Sequence, residues 1–213
     1  MLRYTFGQNM LLLLAFALAI VVAMVFHEAA HAYAAYKQGD PTAKMMGRLS
    51  LNPAKHFDPL GLLSFAFIGF GWAKPVPVNP FNYKNFRRGN FWVSISGVLV
   101  NLVLGFLFSL GYVLMFRFAG FYDLGNFDGN LFIWFLGWFF MLGMILNIGL
   151  MIFNMLPIPP LDGGHLVFLT YEGIFRRPPN EMIQVILSYA GLLLILLLMI
   201  WTVSLDLAWV TRW

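Results

Sequence analysis

Four apolar stretches, each long enough to cross a lipid bilayer, constrain the fold more than any other feature of this sequence. A spanning helix needs about 20 consecutive apolar residues, and the backbone of a membrane-spanning segment must satisfy its own hydrogen bonds. The predicted spans cover residues 9–36, 91–118, 131–156 and 182–203. The sequence therefore predicts an all-α polytopic membrane protein, folded as one domain over residues 1–213.

The composition agrees with a membrane protein and limits the available chemistry. Charged residues make up 10% of the chain, whereas soluble domains carry about 25%. Because there is no cysteine, thiolate metal sites, cysteine nucleophiles and disulfide frameworks are excluded. The net charge of +4 is typical of basic cytoplasmic loops, so nucleic acid is not an expected partner.

A fifth apolar run, residues 60–72, is too short to span and predicts a re-entrant or interfacial segment. The stretch that follows, residues 73–80, contains Pro75, Pro77 and Pro80. Prolines at this spacing exclude helix and favour extended chain. We therefore expect a short re-entrant or β-hairpin-like segment near residues 60–80.

The basic residues predict the orientation of the four spans. Ten of the 13 lysines and arginines fall in the loop between spans one and two or in the loop between spans three and four. Since cytoplasmic loops are enriched in these residues, both loops are expected in the cytoplasm and both termini outside. The first apolar stretch exceeds the usual length of a signal-peptide core, so we expect it to be retained as a span.

The segment His27-Glu28-Ala29-Ala30-His31 predicts a metal site on the first span. Side chains four residues apart share one helix face, so two imidazoles can bind one zinc ion while the glutamate reaches a metal-bound water. The alternative is a pair of core histidines with a nearby carboxylate. Ionisable groups inside a membrane cost about 2.5–3.5 kcal/mol each, which disfavours that alternative.

A catalytic zinc site needs three protein ligands and one open position. Asp162 is the foremost third candidate, because it follows the third span and a run of prolines and precedes Gly163 and Gly164. In the predicted topology this position lies at the cytoplasmic side, as do the paired histidines. His165 and His56 are competing candidates, although His56 could equally stabilise a turn.

Taken together, these residues resemble the site-2 protease family of intramembrane zinc metalloproteases, in particular its compact branch without PDZ or CBS domains. The similarity covers residues 26–170. Five ordered blocks carry it: residues 27–31, 35–43, 47–53 with 56–61, 71–80, and 154–163. The sequence departs at Gly97-Val98, where the family usually has Gly-Pro.

The resemblance implies a zinc-dependent endopeptidase in the cell membrane, with its active site toward the cytoplasm. His27, His31 and Asp162 would hold one Zn²⁺ per chain, and Glu28 would act as general base on a metal-activated water. Its substrates would be transmembrane segments or membrane-bound peptides.

Several side chains could contact the substrate or the oxyanion, namely Asn154, Asn101 and His56. Two other classes stay open: a catalytically silent membrane adaptor, and a metal transporter that uses the same ligands.

Overall fold

Helices account for nearly all regular structure in the computed structural model of the protein, which describes residues 6–61, 73–118 and 130–210. The helices are α1 (Phe6–Gln38), α2 (Thr42–Met45), α3 (Phe86–Phe118), α4 (Leu131–Asn154), α5 (Asp162–Phe175) and α6 (Glu181–Val210). Two short 3₁₀ helices occupy Pro53–Lys55 and Pro80–Asn82. Within the described residues there is no β-strand beyond a single antiparallel bridge between Phe57 and Ala73.

Four of these helices are long and apolar enough to cross a bilayer. The qualifying stretches are Gly7–Gln38, Phe86–Phe118, Leu131–Asn154 and Glu181–Leu198. The prediction of an all-α, four-span, multi-pass membrane protein is confirmed. Of the predicted re-entrant segment, residues 62–72 lie outside the described residues. Residues 74–79 carry no regular secondary structure, with extended backbone at Asn79, and we call them the extended segment after their predicted conformation.

Asparagine side chains cap the N-termini of three of the spans, which explains where those helices start. Asn85 accepts from the backbone N–H of Arg88 at 2.9 Å. Asn130 accepts from Phe132 at 3.1 Å, and Asn180 accepts from Met182 at 2.8 Å. Each bond satisfies one of the unpaired N–H groups of a first helical turn. For this reason α3 begins at residue 86 rather than at the predicted 91.

The chain divides into two compact units, Met1–Phe153 and Asn154–Trp213. The expectation of one domain over the whole chain stays a prediction.

Small residues shape the first unit. Ala15, Ala19, Ala23 and Ala35 of α1 are fully buried, and they belong to one row of positions four residues apart, which winds slowly around the helix. This row continues through positions 27 and 31, and α1 packs against α3. Small side chains allow two helices to approach closely in a membrane, where association depends on packing. The two histidines of the predicted metal site therefore lie on the packed face of α1.

Two buried charged residues hold the extended segment, residues 74–79, against the rest of the first unit. The Arg48 guanidinium donates to the carbonyls of Lys55 and Lys74 and to that of Pro75 at 3.2 Å. The Lys74 N–H donates to the His56 carbonyl at 2.8 Å. These contacts tie the loop before residue 62 to the chain that follows residue 72.

The second charge, Asp40, follows the C-terminus of α1 and is fully buried. It accepts from the backbone N–H of Asn79 at 2.7 Å, from the Asn82 amide at 2.8 Å, and from the N–H and hydroxyl of Thr42. Burial acts to raise the pKa of Asp40, but these hydrogen bonds outweigh it and lower the pKa overall. Asp40 is thus a charged anchor for the far end of the extended segment.

In the second unit, glycines allow a tight turn to form before α5. A Cβ atom at Gly163 would meet the carbonyl oxygens of Met155 and Leu156, and one at Gly164 would lie 2.5 Å from the Pro159 nitrogen. Gly191 of α6 lies against the Pro159 carbonyl in the same way. The turn is closed by a 2.9 Å hydrogen bond from the Leu161 N–H to the Ile158 carbonyl. It delivers Asp162 to the first turn of α5.

Candidate metal centre

His27 and His31 lie one turn apart on α1, with their Nε2 atoms facing each other. The two Nε2 atoms are 3.0 Å apart, and the ring centroids are 4.6 Å apart at an angle of 79°. His27 is buried and His31 half-buried. The predicted pairing of these two imidazoles is therefore present in the structure.

Asn101 on α3 determines which nitrogen of His27 carries the proton. The Asn101 Nδ2 group donates to the Ala23 carbonyl at 3.2 Å, so its Oδ1 atom must face the other way. His27 Nδ1 lies 2.5 Å from that oxygen and must donate to it. In a neutral imidazole the lone pair is then on Nε2.

His31 is oriented by a backbone carbonyl in the same manner. Its Nδ1 atom lies 2.7 Å from the Val93 carbonyl oxygen, which can only accept, so Nδ1 donates. The Ser96 hydroxyl also donates to Val93 O at 2.8 Å. The lone pair of His31 is therefore on Nε2 as well.

Two lone pairs that face each other at this distance repel unless a cation lies between them. With Zn–N distances of about 2.0–2.1 Å and tetrahedral angles, two ligand nitrogens stand about 3.3–3.4 Å apart. The observed separation of 3.0 Å requires only a small adjustment to reach that spacing. Hydrogen bonds that fix the outer nitrogen of each imidazole are the usual support for a metal-binding histidine. The donor set fits zinc.

Gly97 makes the close approach of α3 to these histidines possible. A Cβ atom at this position would lie 2.5 Å from His27 Cε1 and 2.5 Å from His31 Nε2. In the sequence, residue 97 stands out only because the neighbouring Val98 departs from the family's usual Gly-Pro. The sequence does not show that position 97 itself requires a glycine. A glycine within an apolar span is its only sequence signal.

Glu28, between the two histidines, faces the extended segment. Its Oε2 atom accepts a hydrogen bond of 3.2 Å from the Val76 N–H, and its side chain is half-buried. A carboxylate at this position can exchange protons with a water bound near the imidazoles. The structure thus brings the helix that carries the two histidines and the extended segment together at one carboxylate.

Asp162, Asn154 and His165 belong to the second unit. Asp162 is half-buried in the first turn of α5, and Asn154 is the last residue of α4. His165 is exposed. Their roles at the metal stay predictions.

His56 is fully buried, but its described contacts support the loop rather than the histidine pair. Its Nε2 atom lies 2.7 Å from the Ser50 carbonyl oxygen and donates to it. Its own carbonyl accepts from Lys74. These bonds favour the turn-stabilising interpretation of the two that the sequence left open.

Comparison with known proteins adds a family relationship to this geometry. The sequence model of peptidase family M50 matches residues 130–198. YwhC of Bacillus subtilis, whose name describes an inferred zinc metalloprotease, is 44% identical over 150 residues, which are 70% of this chain and 66% of YwhC.

Two other relatives match a shorter region. Zinc metalloprotease RasP of Shouchella clausii is 45% identical over 56 residues, 26% of this chain and 13% of RasP. The protein mll0638 of Mesorhizobium japonicum, another inferred zinc metalloprotease by name, is 47% identical over 62 residues, 29% of this chain and 17% of mll0638. The matches thus span just under two-thirds of YwhC and less than a fifth of the other two. No solved structure matches the chain significantly.

Proposed function

The chain belongs to peptidase family M50, and from this premise we propose that it is a zinc metallopeptidase of the cell membrane. The observation that carries the proposal is the pair of imidazole Nε2 atoms, 3.0 Å apart, on the same helix as Glu28. The names of the relatives support zinc as the metal.

We propose three protein ligands, His27, His31 and Asp162. The third ligand is supported by its family motif and by its delivery on a tight, glycine-dependent turn. When bound, zinc supplies a Lewis acid that polarises the scissile carbonyl and lowers the pKa of water. The remaining chemistry falls to the side chains around it.

Glu28 is the proposed general base. Its carboxylate would take a proton from the attacking water and deliver it to the leaving amide nitrogen. Asn101 would act as a positioning residue for His27, because its amide is engaged with His27, Ala23 and Asn147. Three residues were predicted to contact the oxyanion or the substrate. Because Asn101 is engaged in this way and His56 is bound to the Ser50 carbonyl, we retain Asn154 for that role.

The proposed substrates are transmembrane segments or membrane-bound peptides. A transmembrane helix conceals its carbonyls in its own hydrogen bonds and must unwind before it is cut. The extended segment offers such a peptide a partner, because the N–H and C=O of Val78 have no hydrogen bond to any described residue. In the proposed extended conformation, Val78 would lie on the same edge as the Val76 N–H that Glu28 binds, since alternate residues of an extended chain point the same way. Strand addition at this edge would hold a substrate through its main chain.

Substitution of the base and of the ligands tests this proposal. Purified Glu28→Gln protein should keep its zinc and lose at least about a hundredfold in cleavage rate. His31→Ala and Asp162→Ala should each lose zinc and activity together. Glu181→Gln, at the exposed start of α6, serves as the matched control and should behave as wild type.

The outcomes separate the proposal from its two alternatives. Wild-type turnover by Glu28→Gln would exclude this residue as the base. A zinc-loaded wild-type protein that cuts no membrane peptide would indicate the silent adaptor, and zinc flux in proteoliposomes without cleavage would indicate the transporter.

A further inference from the structure

Asn147 is a fully buried polar residue in the C-terminal third of the α4 span. A polar side chain inside a membrane helix carries a desolvation cost and usually has either a structural or a functional partner. Nothing in the sequence motifs of the metal site includes this residue. Its partners in the structure are therefore informative.

The amide of Asn147 is fixed in one orientation by its own helix. Its Nδ2 group donates to the Gly143 carbonyl at 2.8 Å, so its Oδ1 atom faces α3. There it accepts a 2.8 Å hydrogen bond from Asn101 Nδ2. Asn147 thus donates to a backbone carbonyl of α4 and accepts a hydrogen bond from Asn101.

The hydrogen bonds form a directional chain that ends at the metal-binding face. Asn147 accepts from Asn101, and Asn101 in turn accepts from His27 Nδ1 at 2.5 Å. Each amide is anchored by a backbone carbonyl, Gly143 O for Asn147 and Ala23 O for Asn101. Because neither amide can reverse without placing an oxygen against a carbonyl, the chain holds the His27 proton on Nδ1 and the lone pair on Nε2.

We propose that Asn147 is a positioning residue for the metal centre, which acts on His27 through Asn101. The inference rests on the proposed zinc function and deepens it. The two anchoring carbonyls belong to different spans, Ala23 to α1 and Gly143 to α4. The hydrogen-bond chain therefore links the orientation of His27 on α1 to α3 and α4. Direct hydrogen-bond partners of metal-binding histidines typically change metal affinity by about 10–100-fold when removed, and Asn147 acts on His27 through one such partner.

The competing explanation is that Asn147 only joins α3 to α4, since amides are common as interhelical hydrogen-bonding residues in membranes. The two explanations differ in how Asn147 and Asn101 should combine. A residue that acts through Asn101 has no effect once Asn101 is gone, whereas independent packing contributions multiply.

A double-mutant cycle on zinc affinity distinguishes them. Zinc dissociation constants, obtained by chelator competition on the purified full chain, are compared for wild type, Asn147→Leu, Asn101→Leu and the double variant. We expect Asn147→Leu to weaken zinc binding about tenfold and Asn101→Leu at least as much. The double variant should be no weaker than Asn101→Leu alone. Ile145→Ala, on an exposed part of α4, is the control and should keep wild-type affinity.

Two further variants keep the test decisive if Asn147→Leu does not fold. In Asn147→Ser the hydroxyl bonds back to the preceding turn and loses Asn101, so the same tenfold loss is expected. In Asn147→Asp a carboxyl kept neutral by burial can donate to Gly143 and accept from Asn101, so wild-type affinity should return.

Each result bears on the inference or on its premise. Wild-type affinity in Asn147→Leu or Asn147→Ser, or losses that multiply in the double variant, would overturn the role of Asn147 and leave the proposed function intact. A wild-type protein that binds no zinc would overturn the proposed function itself, and the inference with it.

Discussion

Among single residues, the proposed metal site depends on the missing side chain at position 97 as much as on the proposed ligands. The histidines occupy the face of α1 that would otherwise carry small side chains, and α3 can approach them only because Gly97 has no Cβ. A glycine that only allows helices to pack cannot be distinguished in a sequence from one that makes room for a metal site. The two differ in the atoms that a Cβ at that position would meet.

Substitution of Gly97 by alanine should therefore damage the metal site more than the fold. The added methyl group would lie 2.5 Å from atoms of both imidazoles, so the rings or the helices must move. We expect zinc affinity to fall by about 10–100-fold, measured by chelator competition. Gly149→Ala is the matched control, since a Cβ there meets nothing within 4 Å, and it should be neutral or slightly stabilising. Equal zinc affinities for the two variants would contradict this role of Gly97.

The histidine pair could be predicted from the sequence because helical periodicity alone places residues 27 and 31 on one face. The groups that orient them could not be predicted, since Asn101 is 74 residues from its partner His27 and only tertiary packing brings them together. The same holds for Asn147.

At the scale of elements, the extended segment is held in place by charge rather than by a sheet. Its prolines remove donors and exclude helix, and residues 74–79 are indeed not helical, while an extended conformation along the whole segment stays a prediction. Its anchors, Asp40 and Arg48, could be read only as turn or loop residues in the sequence. Helix α5 was not predicted, because paired glycines after Asp162 are more typical of a loop. The structure shows that the preceding turn leads directly into this helix.

Neutralising the anchor should free the far end of the segment. In Asp40→Asn, one acceptor oxygen is replaced by a donor, and each buried N–H left unpaired costs about 1–3 kcal/mol. We expect faster amide hydrogen exchange at Asn79, while Asp58→Asn, which alters a local turn at Leu60 and Gly61, should leave that rate unchanged.

The pH dependence of this anchor has a definite sign. Because the folded-state pKa of Asp40 is lowered, its stabilisation is fully present above the ordinary aspartate pKa of about 4 and is lost as the pH falls through the lowered value. Nearby Tyr83, whose pKa burial and Asp40 raise to about 12, stays neutral throughout. The protection factor of the Asn79 amide, which is its intrinsic exchange rate at each pH divided by its measured rate, should thus fall only below about pH 4. A fall in this protection factor between pH 5 and 7 would argue against Asp40 as the anchor.

The proposed substrate edge can be tested with cysteines, because the chain has none of its own. Single cysteines at 75, 76, 77 and 78 should cross-link to a cysteine near the cut site of a bound peptide with alternating efficiency, as side chains of an extended chain alternate in direction. Cross-links at position 31 without any along this segment would remove it from the binding site.

At the scale of the whole molecule, the distribution of hydrophobic residues accounts for the four spans, and the helix ends account for the small errors. Apolar length sets where a span exists, whereas local caps such as Asn85 decide where it starts. Orientation is a separate property, which depends on how loop charges interact with the membrane and the insertion machinery rather than on packing.

The last prediction concerns that orientation. Eight lysines and arginines lie between the first two spans and two between the last two, namely Lys37, Lys44, Arg48, Lys55, Lys74, Lys84, Arg87, Arg88, Arg176 and Arg177. Reporters fused near Lys84 and Arg176 should therefore be cytoplasmic, and one near residue 126, outside the described residues, should be external. The turn of α1 that carries the two histidines, which lies toward its Gln38 end, would then face the cytoplasmic half of the membrane. If the reporters near Lys84 and residue 126 are both cytoplasmic, α3 does not cross the membrane and the four-span arrangement is wrong. If the reporter at residue 126 is cytoplasmic and the one near Lys84 is external, the orientation is reversed and the proposed active site faces the opposite side of the bilayer.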